Sequence, residues 1–142
     1  LRIGAGFFVL GYLAHFADHL ARGLSLTPIA VLVAGSVGAI PGVLSVVLVL
    51  RRDPVAPLLA CVTGALFAVG FLAVHLPPKW GPLSEPFRSG VTFFDWLSLV
   101  LGAGGGLALA FAAVYAMRLA ERAKTTTFAS ARAKTASPSQ EA

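Results

Sequence analysis

From Gly23 to Leu50 the chain carries no charged residue, and the same holds from Pro54 to Pro78 and from Trp96 to Met117. The hydrocarbon core of a bilayer is crossed by roughly 20 apolar residues in a helix, so each stretch is long enough to span. A shorter apolar run, Ile3 to Ala17, opens the chain. The runs are continuous rather than alternating and exceed the length of a barrel strand, which excludes a β-barrel. The expected fold is an all-α membrane protein. Its four transmembrane helices, at about 3–20, 27–50, 56–76 and 94–117, form an up-down bundle. A hydrophobic share of 57%, with only 12% charged residues, lies well outside the composition of soluble domains and leaves no polar segment able to bury a second core.

Charge placement sets the orientation. Arg2, Arg51, Arg52, Arg118, Arg122, Lys124, Arg132 and Lys134 fall on one side of the expected bundle, and Arg22, Lys79 and Arg88 on the other. Cytoplasmic loops carry the excess of Lys and Arg, so both termini are expected inside a multi-pass protein of the cell membrane. The formal charge of +5 does not point to nucleic acid, because the basic residues sit at span ends beside lipid headgroups rather than on one groove-sized face. Arg2 followed by apolar residues resembles the start of a signal peptide. The segment Ala14-His15-Phe16-Ala17-Asp18 lacks a small-x-small cleavage pattern, so the first run is expected to remain in the membrane. Residue 1 is Leu, which leaves the natural start of the chain undefined. Residues 1–124 read as the membrane domain. Residues 125–142, rich in Thr, Ser and Ala without apolar periodicity, read as a disordered cytoplasmic tail.

Helices associate in lipid through close packing of small residues. The chain supplies Gly35, Gly38 and Gly42 in the second run, Ala60, Gly64 and Ala68 in the third, and Gly102 with Gly106 in the fourth. These faces serve packing within the chain or against another copy. Pro41, mid-way along the second run, is expected to bend that helix.

Chemistry concentrates at the outer end. His15, Asp18, His19 and Arg22 are spaced to share one face of a helix, His75 closes the third run at the same level, and Asp95 opens the fourth. Ionisable groups within spans are expensive and tend to face the bundle interior. His15, Asp18, His19, His75 and Asp95 are therefore the candidate metal ligands, for a zinc- or copper-type ion. His15 and His75 are also candidate axial imidazoles for a b-type haem. The leading reading of the stripe is that Asp18 pairs with Arg22 or a histidine and fixes the register between the first, third and fourth spans, with no cofactor. The outer loop from His75 to Arg88 holds Pro77, Pro78, Pro82 and Pro86, which exclude a regular helix. Trp80, Phe87, Phe93, Phe94 and Trp96 suit the headgroup zone, and the loop reads as a cap on the bundle or a docking surface. Cys61 is the only cysteine, which excludes paired-cysteine redox chemistry, and no histidine box, HExxH or Walker sequence occurs. The leading expectation is a non-enzymatic component of a membrane complex, joined to a partner or a second copy. The alternative is a metal- or haem-binding membrane protein using the outer His/Asp cluster.

Overall fold

The first apolar run folds as helix α1, Arg2–Arg22, and stops at Gly23, whose φ of 92° lies in a region that favours glycine. A single 3-10 turn, Leu24–Leu26, leads to α2, Ile29–Arg51. Helix α3, Ala56–His75, and α4, Phe93–Ala136, complete the element order in this computed structural model, in which residues 1–86 and 91–136 are described. No strand occurs among the described residues. The turn between α2 and α3 is closed by Arg52 in the left-handed conformation, by the Asp53 N–H donating to the Leu48 carbonyl, and by Asp53 Oδ1 accepting from the Val55 N–H at 2.9 Å. Helix α2 runs unbroken through Pro41.

Helices α2, α3 and α4 are each long and apolar enough to cross a membrane. Helix α1 has the length, at 21 residues, but His15, Asp18, His19 and Arg22 dilute its apolar content. Large apolar side chains face outward along the spans: Ile3, Phe7, Leu10 and Leu13 on α1, Val33, Val37 and Ile40 on α2, Leu58, Leu66 and Val69 on α3, and Val100 and Phe111 on α4 are exposed. The buried hydrophobic side chains, by contrast, include Ala5, Ala60, Ala68, Ala103 and Ala113. Small inside and large outside is the arrangement for a solvent as apolar as leucine.

Glycines decide how closely the helices approach. A Cβ built on Gly64 would stand 2.5 Å from the Gly106 carbonyl oxygen, and one on Gly106 would stand 2.7 Å from the Gly64 oxygen. Helices α3 and α4 therefore touch backbone to backbone. Gly4, Gly11 and Gly105 join α1 to α4 in the same way, with Gly4 against Ala108 and Gly11 against Leu101, an antiparallel register. The small-residue faces of α3 and α4 are thus used within the chain, whereas a Cβ on Gly35 of α2 would meet nothing within 4 Å. Helix α2 meets α3 through a buried hydrogen bond, Ser45 Oγ donating to Thr63 Oγ1 at 3.1 Å. At the opposite end from the histidines Arg2 donates to the Leu50 carbonyl at 3.1 Å, holding α1 beside α2.

The sequence reading places a disordered tail from residue 125, but α4 continues to Ala136. At 44 residues it is about 66 Å long, roughly twice the hydrocarbon thickness. Ala, Glu, Arg and Lys after Met117 are strong helix formers. Thr125, Thr126 and Thr127 each donate a hydroxyl to the carbonyl four residues earlier, so they join the helix instead of ending it. Residues 137–142 of the expected tail, and Phe87 and Arg88 of the outer loop, lie outside the described residues.

Candidate functional site

Helix α1 buries one continuous face, through Gly4, Phe8, Gly11, His15 and His19. Glycine at the lower end of that face lets α1 lie close to α4, and the histidines at the upper end turn into the space where α1, α3 and α4 meet. His15, His19 and His75 are all buried, and one ring nitrogen from each lies within 4.8 Å of the others. The His15 and His75 ring centroids are 5.0 Å apart, and His15 also packs edge-on against His19 and Phe71, at 4.7 and 4.5 Å.

The hydrogen-bond network constrains the protons on these rings. His75 Nδ1 donates to the Glu85 carbonyl at 2.9 Å, which makes Nε2 the nitrogen bearing the electron pair. Thr27 Oγ1 donates to Glu85 Oε1 at 3.2 Å and lies 3.0 Å from His19 Nδ1. Arg22 also lies 3.3 Å from His19 Nδ1. That nitrogen of Arg22 is also 2.8 Å from Asp18 Oδ2, an ion pair without hydrogen-bond geometry. His15 Nε2 and His19 Nε2 stand 3.1 Å apart with one proton between them. The remaining nitrogen, His15 Nδ1, is buried with no hydrogen-bond partner among the described residues.

Asp18 and Asp95, both candidate ligands by sequence, do not join the imidazoles. They are held by Arg22, whose guanidinium reaches Asp18 at 2.8 Å, Glu85 at 3.2 Å and Asp95 at 3.3 Å. Asp95 has a second task at the start of α4, where its carboxylate accepts from the Thr92 N–H and hydroxyl while its own N–H donates to Thr92 Oγ1. This is a capping box, Thr92-x-x-Asp95. Arg22 thus ties the C-terminal end of α1 to the loop and to the first turn of α4.

The loop folds back over the end of α3. The Glu85 N–H donates to the Val74 carbonyl at 2.9 Å, Trp80 Nε1 donates to the Ala73 carbonyl at 2.8 Å, and buried Ser84 Oγ accepts from the Trp80 and Gly81 N–H groups. Glu85 thereby lies against both His19 and His75. Burial raises its carboxyl above the ordinary glutamate range, against the opposing pull of Arg22 and Thr27. Thr27 is the member that sequence reasoning missed. A Thr before Pro28 at a helix start reads as a cap, but its hydroxyl bridges His19 and Glu85 and caps nothing. Comparison of the chain with family models, with curated proteins and with solved structures returned no match.

Proposed function

We propose that the chain is a four-span integral membrane protein, with both termini in the cytoplasm, that holds a transition-metal ion at its outer end through His15, His19 and His75. The observation that carries this reading is the convergence of three buried imidazoles from two helices. Adjacent nitrogens around a tetrahedral zinc ion, with Zn–N of about 2.0–2.1 Å, stand about 3.3–3.4 Å apart. His15 Nε2 and His19 Nε2 are already 3.1 Å apart, and the third ligand, within 4.8 Å, reaches that spacing by moving up to about 1.4 Å. On ligation the proton between those two nitrogens moves to a ring Nδ1, and Nδ1 of His75 and of His19 already lies against an outer oxygen, as it does in metal sites.

A register clasp without an ion is the competing role for the cluster, but Arg22 and its three carboxylates already supply that clasp, leaving the imidazoles unaccounted for. The haem alternative fits less well. A porphyrin must pass between its two axial rings, and His15 and His75 stand 5.0 Å apart with Phe71 and His19 packed on His15. The fourth span rests on the apolar outward face of α1, and the orientation on the eight-to-three division of Lys and Arg. The test is elemental analysis of protein extracted from membranes without chelators. One zinc or copper ion per chain, lost in His15→Ala and His75→Ala, is the expected result. A metal-free protein that takes up neither Zn²⁺, Co²⁺ nor Cu²⁺ would remove the proposal.

A further inference from the structure

We infer that the ion is doubly charged, and that Asp18, Glu85 and Asp95 form the counter-charge that selects it over a singly charged ion. This rests on the metal-binding reading above and adds the class of ion. The imidazoles bring no charge when neutral. Beside them stand three carboxylates gathered on one guanidinium, a set with a formal charge of −2. All three carboxylate side chains are largely buried, as are the three rings. Buried charge without compensation is costly, and a dication among the imidazoles brings the whole cluster to neutrality, whereas a monocation leaves it at −1. Four buried atoms of the cluster have no hydrogen-bond partner among the described residues: Asp18 Oδ2, Glu85 Oε2, Arg22 Nε and His15 Nδ1, the last in a residue that is only 8% exposed. Two of the four are carboxylate oxygens, and Glu85 Oε2 lies 3.8 Å from His19 Nδ1.

Donor chemistry points the same way. Soft sulfur ligands select Cu(I), while imidazole suits Zn²⁺, Cu²⁺ and Ni²⁺. Cys61 lies 14 residues before His75 on α3, about 21 Å along the helix, and the one methionine, Met117, is near the opposite end of the bundle. Neither reaches the cluster.

Because Coulomb energy is proportional to the charge of the ion, loss of one carboxylate charge must change the logarithm of affinity twice as much for a dication as for a monocation. The experiment measures Co²⁺ binding, by its visible absorption, and Ag⁺ binding, by competition, to the full chain in nanodiscs. Wild type is compared with Asp95→Asn. A loss on the order of tenfold for Ag⁺ should accompany a loss on the order of a hundredfold for Co²⁺. Asp18→Asn and Glu85→Gln each remove one charge without touching the capping box, so they repeat the measurement if Asp95→Asn fails to fold. Equal losses for the two ions in folded variants, or tighter wild-type binding of Ag⁺ than of Co²⁺, would overturn the inference and leave the metal reading standing. Failure of wild type to bind any ion would overturn both.

Discussion

His15 divides a structural cluster from a binding one. Its Nε2 contacts His19 and its Nδ1 has no hydrogen-bond partner among the described residues. Glutamine at this position keeps a donor for His19 but offers no imidazole, so His15→Gln should preserve the helical circular dichroism spectrum while metal affinity falls by more than about 100-fold. The bound is the upper end of what loss of an outer partner alone removes. Thr27→Val takes away such a partner from His19 and should weaken binding by about 10–100-fold with the fold intact; affinity unchanged within twofold would show that Thr27 does not orient the ring. Glu85 carries a pH signature. Its pKa is raised by burial from 4.5, so its contribution to stability is fully present below that value and is lost as pH rises through the higher folded value. Thermal melts of the ion-free protein should therefore lose stability from this group as pH rises above about 4.5, and Glu85→Gln should flatten that part of the profile. The stripe of His15, Asp18, His19 and Arg22 was legible from spacing, since i, i+3, i+4 and i+7 share a helical face whatever the tertiary structure. Thr27 and the Glu85 carbonyl were not legible, because their roles depend on where a proline-rich loop folds back.

Among the elements, α1 and α3 both lie backbone to backbone against α4, and for α3 the reason is Gly64 with Gly106. Any side chain at Gly64 must displace the backbone of α4. Gly64→Leu should cost about 1–3 kcal/mol as overpacking, read by denaturant titration in detergent. Gly104→Ala meets nothing within 4 Å and should be neutral or stabilising by up to about 1 kcal/mol through helix propensity. Equal losses at both positions would mean that backbone contact is not what holds α3 to α4. Helix α2 is less firmly joined, with an apolar groove of about 250 Å³ between it and Phe8, Tyr12 and Phe67. Its buried Ser45–Thr63 bond is worth about 0.6 kcal/mol by the average for interhelical bonds in membranes, and Ser45→Ala should cost that much. The approximate extents of the helices were legible because uncharged runs long enough to span are bounded by charged residues, whereas the Thr92-x-x-Asp95 cap of α4 emerged only from the structure. The far end of α4 was not, since the loss of apolar periodicity after Met117 marks the end of a span, and a helix of Ala, Lys, Arg and Glu continues beyond it.

At the scale of the molecule, antiparallel neighbours and an apolar exterior set one polar end against another. Reporter fusions after Arg52 and Arg118 should both report the cytoplasm, and one after Ser84 the outside; a cytoplasmic signal at Ser84 would reverse the bundle and put the histidines on the inner side. The central claim is that His15, His19 and His75 ligate an ion together, and X-ray absorption of the zinc-loaded protein tests it most directly. The expected spectrum has a first shell dominated by nitrogen at about 2.0–2.1 Å, the multiple scattering of three imidazoles, and the loss of one imidazole's scattering in His75→Gln. A shell of oxygen alone, or a spectrum unchanged by that substitution, would contradict it.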